Sequence, residues 1–205
     1  MDIQLKTGCF DDAALVRRVV FMDEQGYENE FDAIDEDPNC IHVTLYVDGE
    51  LAGCSRVFPE ELERAADAEA PVSPACDLDE GVAAGETYIM GRVAVLPAMR
   101  RRGLASKIVE ASDTCARDAG AKLIKLHAQE YVLPLYAKAG YTQIAPVDYE
   151  DEASPMPGWP NGSRVADRDV PFLPAVGDTP WQLAHQSVWT YSFSIPYVYM
   201  RANGL

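Results

Sequence analysis

Three consecutive arginines followed by a glycine form the densest basic cluster in this chain of 205 residues. They are Arg100, Arg101, Arg102 and Gly103, and an apolar periodicity that predicts a helix begins directly after them. The first N–H groups of a helix have no partner within it, and they lie at the positive end of the helix dipole. Guanidinium groups add bidentate donors, and glycine permits close approach of the backbone. The stretch therefore predicts an anion site suited to a pyrophosphate.

The elements on either side must hold this turn in place. Residues 87–95 predict a strand, and Pro97 ends it. After the turn, apolar residues at spacings of three or four predict a helix that Gly120 ends; these residues are Leu104, Ile108, Ala111, Cys115 and Ala119. Residues 122–128 predict the next strand. The order strand, helix, strand implies a parallel pair joined by a right-handed crossover.

Two motifs resemble a known family. The spacing Arg100-x-x-Gly103-x-Ala105, set after a strand, resembles the signature Gln/Arg-x-x-Gly-x-Gly/Ala of the GNAT superfamily of acyl-CoA N-acyltransferases. A second segment, Val20-Phe21-x-x-Glu24-Gln25, resembles the ElaA-like branch of that superfamily. The resemblance covers roughly residues 1–59, 87–150 and 194–201.

The resemblance implies an α/β (α+β) fold in which helices flank a mixed, mostly antiparallel central sheet with one splayed parallel strand pair. It also implies a single N-acetyltransferase domain over residues 1–205, with insertions at about 60–86 and 151–193. We expect the first insertion to be a surface excursion. The second is rich in proline, glycine and tryptophan, and we expect it to be an ordered cover near the acceptor mouth. The alternatives are that it packs on the outer sheet or forms a homodimer contact.

The family resemblance assigns the cofactor acetyl-CoA to the splay between the parallel strands. The residues expected to hold it are Val93, Ala94, Val95, Arg100, Arg101, Arg102, Gly103, Leu104, Ala105 and Gln129. The open strand edge would pair with the amide groups of pantetheine, as an added strand does. The residues expected to contact the acceptor are Glu24, Gln25, Arg56 and Arg92, with a solvated helix end as the alternative for Glu24 and Gln25.

Tyr136 is the candidate general acid. It lies in Tyr136-x-x-x-Gly140-Tyr141, which resembles the GNAT pattern that contains the proton donor to the coenzyme A sulfur. A phenol suits this role because its pKa of ~10 leaves it protonated at neutral pH. The alternative is a core tyrosine that packs a helix on the sheet.

The general base is left open by the sequence. An alkylammonium with a pKa of ~10 must lose a proton before it attacks, or else the amine must arrive neutral. Residues 88–95 contain no glutamate, although many GNAT enzymes place one on that strand. His127 is a candidate catalytic residue, with a satisfied strand-end histidine as the alternative. The other candidates are Glu24, Glu86 and Glu130.

Composition excludes several classes of function. A formal net charge of −16 opposes nucleic-acid binding, and it favours cationic substrates or simply keeps the protein in solution. The five cysteines and three histidines are scattered, which indicates reduced thiols of a cytoplasmic protein and no metal site. No signal peptide or membrane-spanning run is evident, so no membrane partner is expected.

Local patterns predict the remaining elements. Asp48-Gly49 between apolar runs predicts a hairpin of residues 40–47 and 51–58. A first helix is expected over residues 13–21, capped by Asp11 or Asp12, with four residues facing inward, namely Leu15, Val16, Val19 and Val20. The acidic run 28–37 is expected either to be a solvated connection or to border the acceptor. Arg56 is expected either to be exposed or to be buried with a partner.

The sequence therefore predicts an acetyl-CoA-dependent N-acetyltransferase. The leading acceptor is the primary amine of a small cationic molecule. A protein lysine or N-terminus is the second alternative, and a non-catalytic acyl-CoA sensor is the third.

Overall fold

The central element of the protein is a mixed sheet. The structure is a computed structural model that describes residues 1–66, 73–150 and 195–202. Its strands are β1 (Ile3–Thr7), β2 (Ile41–Val47), β3 (Glu50–Pro59), β4 (Thr87–Val95), β5 (Leu123–Gln129), β6 (Tyr141–Gln143), β7 (Asp148–Glu150) and β8 (Ile195–Ala202). The strand order is β1-β2-β3-β4-β5-β8-β6, and β7 also pairs with β8.

Helices cover both faces of the sheet. They are α1 (Phe10–Arg17), which continues as a π-helix (Arg18–Glu24), α2 (Glu61–Ala66), α3 (Leu104–Asp118) and α4 (Leu133–Lys138). Single 3₁₀ turns occupy Ala33–Glu36, Pro97–Met99 and Glu130–Val132. The α3 and α4 helices pack on one face, whereas α1, the Ala33–Glu36 turn and α2 pack on the other. No helix among the described residues has the length and apolarity needed to cross a bilayer.

The parallel pair of strands separates soon after it begins. All other neighbouring strands are antiparallel, but β4 and β5 run parallel and pair only where residues 87–89 face residues 123–125. Beyond Ile89 the β5-facing edge of β4 has no strand partner within the described residues. The predicted mixed sheet with a splayed parallel pair is thus confirmed.

A β-bulge in β4 accompanies this separation. Cys54 pairs with Ala94, but Arg56 pairs with Gly91, so β4 contains one residue more than β3 over this stretch. Arg92 lies within the bulge and has a φ of 55°, in the left-handed region. A bulge bends its strand and increases the local twist. The bulge therefore turns the end of β4 away from β5.

The predicted hairpin is confirmed. Asp48 and Gly49 join β2 to β3 with φ values of 52° and 85°. Positive φ at both central residues is typical of the type I′ turn, whose twist matches that of the flanking strands.

The first helix differs from its prediction. It begins at Phe10 without a side-chain cap, so neither Asp11 nor Asp12 caps it. Leu15, expected to face the core, is 53% exposed, whereas Arg17 is buried. Val16 and Val20 are buried as predicted, but Leu15 is not, because an ion pair holds Arg17 inside and the chain continues as a π-helix with a wider turn.

The stripe predicted on α3 is rotated. Leu104 and Ile108 are buried as expected, but Ala119 is exposed. The other buried residues of α3 are Val109, Ser112 and Ala116. Burial of a serine is tolerated because its hydroxyl lies 2.7 Å from the hydroxyl of Ser55 and donates to the Ile108 carbonyl at 2.7 Å.

Ion pairs attach the described part of the first predicted insertion to the sheet. Asp79 pairs with the buried Lys125 of β5 at 2.8 Å, and Asp77 pairs with Arg201 of β8 at 2.8 Å. Because Lys125 is buried, its ammonium group needs an anionic partner, and Asp79 provides one. Residues 67–72 and the second predicted insertion, 151–193, lie outside the described residues.

Close packing of α3 on the sheet generates a stability prediction. A Cβ atom on Gly53 would lie 2.6 Å from the Ala94 carbonyl oxygen and 2.6 Å from Ile108 Cδ1. We expect Gly53→Ala to destabilise the fold by about 1–3 kcal/mol because backbone and helix must shift. Gly91→Ala is the matched control, since its Cβ would meet no atom within 4 Å. Urea unfolding measures both variants, and equal stabilities would contradict this packing.

Candidate functional site

A cleft of about 830 Å³ lies where β4 and β5 separate, and we call it the central cleft. Residues 89–93 of β4 and 126–129 of β5 form its two sides. Phe21, Gln25 and residues 27–30 and 32–34 border it from the α1 side, and Glu63 borders it from α2. Tyr136 of α4 closes it from the opposite layer.

The arginine–glycine turn presents free donors at the start of α3. Arg101 and Gly103 have φ values of 61° and 73°, both in the left-handed region. The N–H groups of Arg101, Arg102 and Gly103 donate to no group in the part of the chain that the structure describes. Successive free N–H groups at a helix start form a concave anion site. A Cβ built on Gly103 meets no atom within 4 Å, so the space above this backbone is open.

The residues of this turn and its neighbours differ in solvent exposure. Arg101 and Arg102 are exposed, whereas Leu104 is buried in the first turn of α3. Ala105 follows it and is half-buried. In β4, Ala94 is buried against α1, and Val93 lies in the central cleft.

Arg100 is the exception among the predicted anion ligands. Its Nη1 donates to Glu24 Oε1 at 2.7 Å, and Nη2 pairs with Glu24 Oε2. Its Nε donates to the Val95 carbonyl at 3.0 Å. The structure thus brings together a predicted cofactor residue and a predicted acceptor residue. This pair fastens the end of the π-helix to the turn.

The end of β5 contributes two predicted residues to the central cleft. Gln129 Nε2 donates to Gln25 Oε1 at 3.3 Å, so these residues meet across the cleft. The ring of His127 stacks on Tyr199 of β8 with centroids 4.0 Å apart. His127 is half-buried and lines the cleft.

Tyr136 combines burial with access to the central cleft. The residue is 6% exposed, and its ring meets Tyr141 edge-on at 5.7 Å. Its hydroxyl has no hydrogen-bond partner within residues 1–66, 73–150 and 195–202. Burial, reinforced by Tyr131, raises the pKa of Tyr136 above that of a free phenol. The hydroxyl is therefore a protonated donor at neutral pH.

A buried ion network holds the acidic run beside the cleft. Arg17 Nε donates to Glu30 Oε1 at 2.7 Å, and its Nη1 and Nη2 donate to both oxygens of Asp35 at 2.6 and 2.9 Å. Arg17, Glu30 and Asp35 are all buried. The solvated connection that the sequence allowed for residues 28–37 is therefore wrong for these two carboxylates.

The predicted acceptor residues Arg56 and Arg92 belong to the same network. Arg56 is buried, not exposed, and it donates to both Asp32 oxygens at 2.7 Å and to Asp35 Oδ1 at 2.8 Å. Arg92 Nε lies 2.9 Å from Glu30 Oε1. Both arginines border the cleft, but carboxylates of this chain already engage their guanidinium groups.

The sequence contained one overlooked signal for this network. Asp32 and Asp35 form a capping box, in which the Asp32 carboxylate accepts from the Ile34 N–H and the Asp35 carboxylate accepts from the Asp32 N–H. Carboxylates three residues apart are typical of such a helix start. This pattern indicates an ordered turn within residues 28–37.

One group of side chains has the composition of a metal site. Ligand atoms of Asp35, Cys40 and His42 lie within 4.8 Å of one another. Both Asp35 oxygens already accept from arginines, and burial raises the pKa of Cys40 to about 12. A protonated thiol and a saturated carboxylate are poor ligands. The described residues therefore do not present a prepared cation site here.

Comparisons with known proteins agree with this geometry. The model of a family described as the acetyltransferase (GNAT) family matches residues 8–141. A Bacillus subtilis (strain 168) protein, named provisionally as an acetyltransferase, is 27% identical over 129 residues, which cover 62% of this chain and 71% of the relative.

Solved structures share the fold. Escherichia coli ElaA has a TM-score of 0.59 at 16% identity, with 98% of this chain and 100% of that chain covered. A Bacillus subtilis acetyltransferase in complex with CoA has a TM-score of 0.55 at 16% identity, with 100% of each chain covered. At these identities the likeness shows the fold alone.

The ion network predicts a specific sensitivity to acid. Burial alone would raise the pKa of Asp35, but hydrogen bonds from Arg17 and the charge of Arg56 outweigh it and lower that pKa to about 2. The stabilisation is complete above the unfolded pKa of ~4 and is lost as pH falls from there toward 2. We expect it to contribute roughly 2 kcal/mol.

Asp35→Asn tests this expectation. The variant leaves two buried arginines without their shared carboxylate, so it should lose about 3–5 kcal/mol at pH 7. Its stability should also fall less steeply than that of the wild type between pH 4 and pH 2. Urea unfolding across pH measures both effects, with the exposed Asp118→Asn as control. Parallel pH curves for Asp35→Asn and the wild type would refute the role of this carboxylate.

Proposed function

The chain belongs to the acetyltransferase (GNAT) family, and on that premise we propose that it moves an acetyl group from acetyl-CoA to the primary amine of a small cationic molecule. Membership of the family makes the protein an acyltransferase with acetyl-CoA as donor. The resemblance of the sequence to the GNAT superfamily is thereby confirmed. The acceptor and the residue roles below are our proposal, as is the single domain with insertions at about 60–86 and 151–193.

One observation carries the proposal. The N–H groups of residues 101–103, in the turn that follows the separated end of β4, donate to no group among the described residues. These donors and the exposed Arg101 and Arg102 side chains suit the phosphates of coenzyme A. The unpaired edge of β4, with Val93 in the cleft, suits the amide groups of its pantetheine arm. When bound, acetyl-CoA supplies an activated acetyl thioester.

Tyr136 is proposed as the general acid. Tyr136 lines the cleft, its hydroxyl has no partner among the described residues, and its raised pKa keeps the proton in place until a thiolate develops. A buried tyrosine whose only role was packing would normally have its hydroxyl bonded. The free hydroxyl favours an enzyme over a non-catalytic acyl-CoA sensor.

A small cationic acceptor is supported by the charge of the protein and by the enclosure of the cleft. The formal net charge of −16 raises the local concentration of cations. The cleft narrows between the π-helix and β5, where Gln25 meets Gln129. We propose that these two amides, with His127, border the acceptor. The cover proposed for residues 151–193 lies outside the described residues.

Tyr136→Phe should reduce kcat by about 10²-fold or more and leave the Kd of acetyl-CoA near that of the wild type, because only the proton donor is removed. Tyr141→Phe is the matched control, since Tyr141 donates to Asp113 and does not line the cleft. Thiol release with a panel of amines measures kcat, and calorimetry measures affinity. Unchanged kcat in a folded Tyr136→Phe variant would remove Tyr136 from the mechanism.

Gly103→Val should raise the Kd of coenzyme A at least about tenfold, equivalent to roughly 1.4 kcal/mol. The added side chain would fill the open space above the free N–H groups and would strain a residue whose φ is 73°. Gly120→Val is the matched control: its φ is 103°, its Cβ also meets no atom within 4 Å, and it follows the opposite end of α3. Equal coenzyme A affinity of the two variants in calorimetry would refute the anion site.

A further inference from the structure

The acceptor needs a group that removes its proton, and the carboxylates suggested by the sequence do not lie in position. Glu24 is engaged by Arg100, and Glu86 pairs with Lys122 at 2.7 Å. Glu130 is exposed and does not line the central cleft. Strand β4 contains no carboxylate at all. A carboxylate that removes this proton would have to come from another element of the cleft wall.

Four carboxylates line the central cleft among the described residues, and three of them are accounted for. Glu30 pairs with Arg17 and Arg92, and Asp32 is held by Arg56. Glu28 is exposed at the rim. The fourth, Glu63, is half-buried and has no hydrogen bond or ion pair from its carboxylate within the part of the chain that the structure describes.

Helix α2 holds Glu63 against the cleft. On one side of it Leu62 packs into the apolar cluster that contains Phe58 and Ile89. On the other, the Glu61 carboxylate accepts the N–H of Gly85, which fastens the helix to the chain that leads into β4. Glu63 therefore borders the cleft from a helix with two tertiary attachments.

The charged surroundings of Glu63 keep it basic. Burial and the nearby carboxylate of Glu60 raise its pKa, and Arg56, His127 and Arg92 oppose this with smaller effects. Arg56 and Arg92 are themselves paired with Asp32, Asp35 and Glu30, and Glu60 lies 4.0 Å from Lys125, which pairs with Asp79. A carboxylate in such an environment binds a proton more readily than a solvated one.

We propose that Glu63 is a catalytic carboxylate that accepts the proton of the acceptor's ammonium group before the amine attacks. The proposal rests on the proposed function, because it concerns the acceptor half of the same cleft. It assigns to the 60–86 insertion a task that β4, which has no carboxylate, does not perform. His127, which lines the same cleft, then borders the acceptor.

In the proposed reaction, every proton that leaves one group is taken up by another. The ammonium group transfers one proton to Glu63 and becomes a neutral amine, whose nitrogen forms the new C–N bond to the acetyl carbon. The C–S bond breaks, the thiolate takes the Tyr136 proton, and the amide nitrogen returns a proton to the phenolate. Glu63 finally releases its proton to water, so one proton is released per acetyl transferred.

The test compares acceptors that do and do not need deprotonation. Thiol release from acetyl-CoA is measured with 1,4-diaminobutane, spermidine and tyramine, which are cationic at neutral pH, and with methoxyamine, which is neutral there. For the cationic acceptors, Glu63→Gln should lower kcat at least about tenfold at pH 7. The deficit should shrink as pH approaches the amine pKa of ~10, because solution then supplies the neutral amine. With methoxyamine the variant should retain wild-type kcat.

Control variants and a separate comparison of KM and kcat distinguish proton acceptance by Glu63 from cation binding and from a structural role. Glu110→Gln removes one carboxylate from the exposed side of α3 and should leave every rate unchanged. A higher KM with unchanged kcat would mean that Glu63 only binds the cation, and equal losses with methoxyamine would mean a structural role. Either result overturns the proposal, as does wild-type kcat in Glu63→Gln together with loss of kcat in His127→Asn. If the wild-type protein acetylates none of the four amines, the proposed function itself is overturned.

Discussion

The β-bulge at Arg92 is the constraint on which the rest of the site depends. One additional residue in β4 turns the strand away from β5 after three paired residues, so the sheet opens where its two central strands would otherwise continue together. The same bulge directs Arg92 toward Glu30. A left-handed φ is unfavourable for arginine, and this ion pair is one of the contacts that hold it. The opening of the cleft and the placement of its acidic wall thus have a common origin.

The wall itself is stabilised by charges that neutralise one another. Taking an arginine or an aspartate out of water costs several kcal/mol per ion, and this cost is offset only when all partners are in place. Arg17 and Arg56 share Asp35, so residues 30–35 have little freedom to move independently of α1 and β3. The consequence for chemistry is indirect. Glu30 and Asp32 line the cleft, but both are already paired with arginines of this chain.

The two proposed proton-transfer groups approach the central cleft from opposite layers. Tyr136 comes from α4, which packs with the apolar cluster on one face of the sheet, and Glu63 comes from α2 on the other. Burial acts on both, but with different effects on their chemistry. It keeps the phenol protonated as a donor and makes the carboxylate a better acceptor. In our proposal, the acid and the base thus lie on opposite sides of the splay that would hold the thioester.

The sequence by itself determined the features that depend on neighbouring residues. Asp48-Gly49 specifies its turn through local φ values, so the hairpin was predicted correctly. The arginine–glycine turn before α3 is likewise local, and its motif predicted the family correctly. The splayed pair followed from the family resemblance. Only the tertiary structure decided which surfaces meet. Arg100 pairs with Glu24, which lies 76 residues away in the sequence. Arg17 is buried, whereas Leu15, which periodicity placed in the core, is exposed. Such pairs depend on how complete elements pack and on the cost of leaving a buried charge unpaired, and neither is encoded in spacing along the chain.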